Sequence, residues 1–457
     1  MQLRKYQTDM TASLQRHYRQ GGRAPLAVLP TGAGKTVVFA WIAQQAARKG
    51  NRVMILVHRD FLLDQTSEQL AELGVPHGII APGYPQTNDL VQVASVFTVV
   101  RRLGRIPEPV LIIIDEAHHA PAGQWDKVIS YYHNARILGV TATPDRMDNR
   151  RLGFDGLYVG ATVKQLTADG WLVPARVYAP PIVADLAGLR APRSGDYTRA
   201  DIEGRLDRAT VTGDAVKHYL RYAKGLPGVV FCCSVDHARH VAATFTAAGV
   251  PAKHIDGSMT KLERKRLVRE LRDGVIKLLV SCELISEGFN LPEVAVAILL
   301  RPTQSLGLYL QQVGRVLRPA PGKTHAIILD HVGNCIRHGL PDDERDWTLD
   351  GDKRKRRTDN VIPLVTCTNC FAVYAPNQLK CPQCDHVREL QARDTQPVNV
   401  DGELEEVNAS TISKIDRRWM IGRARTLEEL YIVAQTLGYK AEWARFIWNA
   451  RAKKRGA

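Results

Sequence analysis

Short runs of apolar residues alternate with segments of helical periodicity over most of the chain. A continuous apolar run bounded by turn residues is typical of a strand buried on both faces of a parallel sheet. Apolar residues at intervals of three and four indicate a helix with one buried face. In the first part of the chain, the predicted helices include 36–50 and 60–73, and the predicted strands are 27–29, 53–57, 91–96, 110–114 and 137–140.

The same alternation starts again near residue 214, with helices at 235–248 and 259–272 and strands at 229–233, 277–281 and 294–300. A repeated strand–helix series predicts an α/β fold with two parallel-sheet lobes in tandem. We place the first lobe at 1–160 and the second at 214–345. Clustered prolines between them predict an irregular inter-lobe connection at 161–213.

Residues 29–36, Leu-Pro-Thr-Gly-Ala-Gly-Lys-Thr, connect a predicted strand to a predicted helix. Small residues at such a junction let backbone N–H groups surround phosphate oxygens at the positive end of the helix. The strict G-x-x-x-x-G-K-[ST] pattern is not met, because Leu29 occupies its first glycine position. A glycine-rich turn before an ordinary helix is the alternative. The strand–turn–helix context favours a nucleotide site formed by Thr31, Gly32, Ala33, Gly34, Lys35 and Thr36.

Asp115 and Glu116 directly follow a predicted strand. At a strand tip near phosphates, Asp115 could hold Mg²⁺ through water, and Glu116 could orient or deprotonate the attacking water. Adjacent acids can also be a helix N-cap signal, but the phosphate loop upstream favours the catalytic interpretation. Thr141 and Thr143 follow the next predicted strand, where their hydroxyls could link the nucleotide state to movement of the lobes.

Two further pairs of residues could complete a nucleotide site. Arg4 could cover an adenine ring, and Gln7 could read its edge, since both precede the phosphate loop in a predicted short helix. Arg315 and Arg318 lie one helical turn apart and share a face. From the second lobe they could reach the γ-phosphate and stabilise developing charge. A basic surface helix is the alternative, which the order of the motifs disfavours.

Together these motifs resemble those of superfamily 2 helicases and translocases with a D-E-A-H second motif, over residues 1–335. The resemblance implies two RecA-like lobes that bind ATP and Mg²⁺ and move on nucleic acid. It implies catalytic roles for Lys35, Asp115, Glu116, Arg315 and Arg318. Coupling of hydrolysis to movement is implied for His118, Thr141, Thr143 and Gln311. Nucleic-acid contacts are implied for Arg59, Gln65, Thr98 and Arg101.

Residues 286–292, Ser-Glu-Gly-Phe-Asn-Leu-Pro, resemble the fifth motif of that family and imply that Gly288 contacts the nucleotide. Asn290 stands where the motif often has Asp, so no charge-dependent role is assigned there. Residues 300–305, 321–324 and 328–330 resemble the RadD-type branch, which also carries cysteine motifs after the motor.

Four of the eight cysteines form two pairs, Cys367-x-x-Cys370 and Cys381-x-x-Cys384. Such paired knuckles match the tetrahedral thiolate ligands of a structural zinc ribbon. A redox C-x-x-C motif is the alternative, but no thioredoxin-like βαβ pattern surrounds these pairs. We therefore predict Zn²⁺ within a basic linker and zinc ribbon at 346–395.

Residues 396–457 are predicted to form a basic helical tail. The motor is expected to have its essential parts without 346–457, so the tail could add grip on DNA or dock a protein partner. Its aromatic residues could stack on unpaired bases. The core of a small helical module is the favoured interpretation for Trp419, Trp443, Phe446 and Trp448.

The net charge of +15 favours a polyanionic partner. We expect an ATP-dependent DNA helicase or translocase in replication, recombination or repair, acting on single-stranded or branched DNA. An RNA helicase, or a duplex DNA translocase subunit of a restriction or repair assembly, stays open because such motors contact the backbone. Intact catalytic residues disfavour a nucleic-acid-binding scaffold with an inactive motor.

No apolar run approaches the ~20 residues of a membrane span, and the first residues lack the apolar region of a signal peptide. We therefore expect no membrane partner and a cytoplasmic location. The protein would be nucleoid-associated in a bacterium, or inside the host cell if viral.

Overall fold

The computed structural model describes residues 1–58, 60–119, 122–144, 153–179, 209–282, 291–349, 365–367, 369–374, 378–387, 424, 426–436, 439, 442–445 and 447–449. The chain forms two units, residues 1–388 and 389–457.

Seven strands form the sheet of the first lobe: β1 (Pro25–Val28), β2 (Val53–Val57), β3 (Gly78–Ile80), β4 (Val91–Ser95), β5 (Leu111–Ile114), β6 (Arg136–Thr141) and β7 (Gly156–Val159). Their spatial order is β3-β4-β2-β5-β6-β1-β7, and every neighbouring pair is parallel. The helices α1 (Lys5–Arg19), α2 (Lys35–Arg48) and α3 (Asp60–Glu72) share a buried apolar cluster with one face of the sheet. The other face packs with α4 (Val96–Arg101) and α5 (Ala122–Tyr131).

Six parallel strands form the sheet of the second lobe: β8 (Ala175–Tyr178), β9 (Gly228–Phe231), β10 (Ala252–Ile255), β11 (Leu278–Ser281), β12 (Val296–Leu299) and β13 (Ala326–Asp330). Their order is β10-β11-β9-β12-β13-β8. The helices are α6 (Val163–Ala168) before the sheet, and α7 (Ala209–Tyr222), α8 (Val235–Ala247), α9 (Lys261–Arg272), α10 (Leu306–Gly314) and α11 (Asn334–His338). One apolar cluster continues from the first sheet to the second. The prediction of two parallel-sheet lobes is confirmed.

The predicted irregular connection at 161–213 is wrong in part. It contains α6, and β8 pairs in parallel with β13 at the edge of the second sheet. β8 has the sequence Ala-Arg-Val-Tyr, in which Val177 alone is fully buried, so it lacks the continuous apolar run of a central strand. Residues 180–208 lie outside the described part of the chain.

Residues 340–349, which we call the return segment, lead back from the second lobe to the first. Trp347 and Leu349 pack against the apolar cluster beneath the first sheet. These two residues therefore add to the packing of the first lobe, and the expectation that the motor has its essential parts without 346–457 stays a prediction.

Residues 365–387, which we call the cysteine segment, contain the four clustered cysteines. The segment covers β8, the edge strand of the second sheet. Its strands β14 (Val365–Thr366) and β15 (Val373–Tyr374) pair with each other in antiparallel fashion. The N–H of Ala179 donates to the carbonyl of Phe371 at 3.0 Å, and Ala372 forms a bridge with Tyr178 at the end of β8. The Tyr222 hydroxyl of α7 also donates to the Cys370 carbonyl at 3.0 Å.

In the second unit, the helix α12 (Leu427–Thr436) contributes Leu430, Val433 and Ala434 to a small apolar core. Trp443 and Trp448 pack against this core, which supports their interpretation as core residues of a helical module. Trp419 and Phe446 lie outside the described residues. Within the described part of the chain, no helix has both the length and the apolar character to cross a membrane.

Candidate active site

The loop between β1 and α2 has the backbone conformation that a phosphate site needs. Gly32 and Gly34 have φ values of 88° and 75°, in the left-handed region that favours glycine. A Cβ at Gly34 would also come within 2.7 Å of the Gln7 amide nitrogen. The helix α2 begins at Lys35, so its N-terminal N–H groups and partial positive charge lie directly after the loop.

Asp115 and Glu116 stand beside this loop at the tip of β5. The Lys35 ammonium lies 3.4 Å from Oε1 of Glu116, and the side chains of both residues are 13% exposed. Oδ1 of Asp115 accepts the N–H of Glu116 at 2.9 Å. The cation and both carboxylates therefore share one site, as a Mg²⁺–phosphate complex would need.

A cleft of about 310 Å³ brings the two lobes together at this point. Its lining includes Lys35, Asp115 and Glu116 from the first lobe and Arg315 and Arg318 from the second. Burial, together with the charge of Arg315, lowers the pKa of Arg318 to about 9. Two guanidinium groups with little access to water favour an anion such as a triphosphate in the cleft.

Gln7 supports the phosphate loop from α1. Its amide nitrogen donates to the Ala33 carbonyl at 3.2 Å, and the Tyr6 hydroxyl donates to the same oxygen at 2.8 Å. The Arg4 guanidinium lies 3.8 Å from the ring centroid of Trp171. Sequence reasoning missed Tyr6 and Trp171, because only the fold brings them to the loop.

His118 connects the two lobes through hydrogen bonds. Its Nδ1 lies 2.7 Å from Oγ1 of Thr141, and its Nε2 lies 3.1 Å from the Gln311 amide nitrogen on α10. The Thr141 hydroxyl donates its own proton to the Thr143 carbonyl at 2.9 Å. Nδ1 of His118 must therefore carry the proton, and Nε2 accepts from Gln311. The four coupling residues thus form one chain of contacts.

The residues assigned to nucleic acid have different environments. Thr98 is buried within α4, and Arg101 is exposed at its last position. Gln65 lines the inter-lobe cleft, because it lies on the face of α3 that also carries Leu62 and Gln69. Arg59 and Gly288 lie outside the described residues. The nucleic-acid contacts stay predictions.

The four clustered cysteines have the spacing of a metal site. The Sγ atoms of Cys367 and Cys384 are 3.7 Å apart, those of Cys370 and Cys381 are 3.5 Å apart, and all four lie within 4.8 Å of one another. Zn–S bonds of about 2.3 Å place tetrahedral thiolates about 3.8 Å apart. The donor set therefore fits Zn²⁺.

Two families match the two lobes. Residues 1–146 match the family described as "Type III restriction enzyme, res subunit", and residues 213–320 match the "Helicase conserved C-terminal domain". A 51.5 kDa protein of a Lactococcus phage (isolate 7-9) is 34% identical over 438 residues, which are 91% of this chain and 92% of that protein. The chain is a superfamily 2 helicase.

This helicase is also similar to a DNA translocase and shares its fold with a restriction enzyme. The DNA 3'-5' translocase XPB2 of Sulfurisphaera tokodaii is 24% identical over 367 residues, which are 70% of this chain and 79% of that protein. The structure of the ATP-dependent Type ISP restriction-modification enzyme LlaBIII bound to DNA shares the fold, with a TM-score of 0.53 and 18% identity over 72% of this chain and 27% of that one. The predicted RecA-like fold and the predicted nucleic-acid-dependent ATPase activity are confirmed.

Proposed function

We propose that this helicase couples ATP hydrolysis to movement on DNA and to remodelling of DNA in replication, recombination or repair, as a member of the RadD-like branch. The observation that carries the proposal is the shared cleft, in which Arg315 and Arg318 face Lys35 and Glu116. Hydrolysis then requires both lobes to be closed, and release of the products lets them open.

Each residue of the cleft has a chemical role in this proposal. Lys35 would neutralise the β- and γ-phosphates, and Thr36 and Asp115 would hold the Mg²⁺, which would spread the phosphate charge. Glu116 takes a proton from the attacking water. Arg315 and Arg318 stabilise the charge that develops on the transferred group.

The coupling path runs through His118. A neutral His118 with its proton on Nδ1 accepts from Gln311 only while α10 lies against the first lobe. Opening of the cleft breaks this contact and frees the second lobe to change its position on the strand. Repeated closure and opening would then move the helicase along the backbone.

A nucleic acid is the proposed substrate because the net charge is +15. DNA is proposed over RNA because the similar translocase and the restriction enzyme that shares the fold carry DNA in their descriptions. RNA is the competing substrate. The deciding experiment measures ATPase stimulation and strand displacement with single-stranded, forked and duplex DNA and with RNA of the same sequence, with Lys35→Ala as the inactive control. Stimulation by single-stranded or forked DNA well above that by RNA supports the proposal, and preferential stimulation by RNA contradicts it.

Zn²⁺ is the proposed structural cofactor of the cysteine segment. The four Sγ atoms meet the geometry of a tetrahedral site, and a segment with so few buried residues needs such a staple to fold. Because the segment pairs with the edge of the second sheet, the metal would stabilise that edge. The second unit is proposed to add affinity for DNA or to dock a protein partner.

A further inference from the structure

The return segment is built as a rigid turn followed by an extended strip. The Arg345 guanidinium donates to the carbonyls of His338, Leu340, Pro341 and Asp343 at 2.7–3.4 Å. The Asp343 carboxylate accepts the N–H of Leu340 at 2.8 Å. From 341 to 349 the odd-numbered residues face the protein and the even-numbered ones face water. The segment therefore has one defined face and one defined path.

The helix α10 contacts the two residues that lead directly into the segment. The Tyr309 hydroxyl, on a side chain with no exposed surface, donates to the Gly339 carbonyl at 3.1 Å. The Tyr309 ring also stacks on His338, with centroids 5.5 Å apart. The same helix carries Gln311 and ends at Gly314, immediately before Arg315.

The other end is attached to the first lobe. Trp347 and Leu349 pack against the apolar cluster beneath the first sheet. Glu344 also pairs at 3.4 Å with Lys164 of α6, the helix that follows the first sheet in the chain, and both side chains of this pair are exposed. A second cavity of about 70 Å³ lies under the segment and is lined by both lobes. Of its described lining residues, Thr31 alone also lines the larger cleft. The segment thus spans the lobe interface beside the active site.

The lobes pack so closely at this interface that even one added methyl group would not fit between them. Gly314 lies so close to the phosphate loop that a Cβ there would be 2.6 Å from Cβ of Thr31. A displacement of about 1 Å can reduce a catalysed rate by about a hundredfold. Whatever holds α10 in this position therefore controls whether Arg315 and Arg318 reach the phosphates.

We propose that the return segment is a positioning element for ATP hydrolysis, in which Trp347 anchors the first lobe and holds α10 and its following arginines over the phosphate loop. This inference rests on the proposed roles of Arg315 and Arg318. Trp347 acts through α10 and touches no phosphate, so its loss affects the hydrolysis step and spares nucleotide binding by Lys35 and the loop.

The test uses the full-length chain with Trp347→Ala, Trp347→Phe and, as a control on the outward face of the same segment, Asp342→Ala. ATPase kcat and KM are measured at saturating DNA, and affinity is measured with a non-hydrolysable ATP analogue. Trp347→Ala is expected to lower kcat at least about tenfold and leave analogue affinity within about twofold, because ground-state contacts are kept. Trp347→Phe retains most of the activity, and Asp342→Ala all of it.

If Trp347→Ala does not fold, Leu349→Ala replaces it in the test. This substitution removes fewer atoms from the same contact and should lower kcat in the same way. Wild-type kcat in a folded Trp347→Ala or Leu349→Ala protein overturns the inference, as does an equal loss of analogue affinity and kcat. Arg318→Ala distinguishes failure of this inference from failure of the proposed roles of the arginines. If it is inactive while Trp347→Ala is not, the inference alone fails; if Arg318→Ala is active, the proposed roles of the arginines fail.

Discussion

Glu116 has a φ of 47°, in the left-handed region that is rare for glutamate. Such a conformation costs of the order of 1–3 kcal/mol and persists when the surroundings enforce it. Here it turns the N–H toward Asp115 and the carboxylate toward Lys35. The backbone strain and the position of the proposed general base are therefore linked.

Glu116→Gln is expected to lower the rate of hydrolysis by about 10²–10⁴-fold, because the water loses its base. ATP binding should be kept, since Lys35 and the loop are unchanged. Single-turnover hydrolysis and nucleotide affinity, measured on the same preparation, check both parts. Asp126→Asn, on the exposed face of α5, is the matched control. Near-normal turnover in Glu116→Gln would show that another group activates the water.

Gly314→Ala should abolish most DNA-stimulated ATPase, because the new Cβ would meet Thr31 at 2.6 Å and force the lobes apart. Each lobe should still fold, since the contact lies between them. Gly123→Ala is the control, because a Cβ there meets nothing within 4 Å and alanine favours a helix by about 1 kcal/mol. Steady-state ATPase and urea unfolding distinguish a blocked interface from a damaged lobe.

Single residues were predictable where a motif fixes local backbone. Asp115 and Glu116 directly follow β5, and Lys35 follows β1 through the phosphate loop. Parallel strands bring such tips to one edge of the sheet. The hydrogen bond from Tyr6 to Ala33 and the stacking of Arg4 on Trp171 could not be predicted, because the partners are far apart in the sequence. The tautomer of His118 likewise depends on contacts that only the closed interface creates.

At the scale of elements, α3 of the first lobe and α9 of the second are joined by two ion pairs. Asp64 and Glu68 lie one turn apart on α3, and each is 2.7 Å from a lysine one turn apart on α9, Lys261 and Lys265. Burial acts to raise the pKa of Asp64, but hydrogen bonds from Lys261 and Tyr84 lower it below 3.8. The Asp64–Lys261 pair therefore stabilises the interface at neutral pH. Its contribution is lost as the pH falls below 3.8 and Asp64 takes up a proton.

Reversing both lysines (Lys261→Glu with Lys265→Glu) should weaken closure of the cleft. Exposed pairs contribute about 0.2–1 kcal/mol each, so the loss of two pairs should lower ATPase about two- to thirtyfold at low salt, with recovery at high salt. Adding Asp64→Lys and Glu68→Lys should restore activity by exchanging the signs. Arg266→Glu is the control, because Arg266 pairs with Glu270 of its own helix. Failure of the fourfold exchange to restore activity would contradict this electrostatic role.

Of the strands in the two large sheets, β3, β7, β8, β10 and β13 were not predicted. The first four are the edges of the two sheets, whereas β13 lies between β12 and β8 and is the exception. A central strand is buried on both faces and reads as an apolar run, whereas an edge strand is half covered and has mixed residues. The return segment did carry a signal, the alternation of Pro341, Asp343, Arg345, Trp347 and Leu349 with polar residues. Two of its inward residues, Asp343 and Arg345, are charged, so a pattern of hydrophobic positions alone does not identify the segment.

For the whole molecule, the cysteine segment decides whether β8 presents an open edge. Removing Zn²⁺ with a chelator, or Cys367→Ser with Cys370→Ser, should unfold the segment locally, since metal binding supplies its folding free energy. The uncovered edge can then pair with other chains. Zinc content is expected to be one ion per chain, and light scattering should rise after its removal. Cys232→Ser, at a buried thiol of β9's end, should keep the metal. A metal-free chain with unchanged light scattering would contradict the role of the segment as an edge cover.

The return segment also has a consequence for how the protein is made. A nascent chain emerges from its N-terminal end, and domains usually fold in that order. The first lobe cannot complete its apolar packing until Trp347 and Leu349 are synthesised, after the whole second sheet. During translation the first lobe therefore exposes an apolar patch for as long as the second lobe takes to emerge. Contacts of such long sequence separation also slow folding, so this lobe should need protection from aggregation on the ribosome although the finished motor does not.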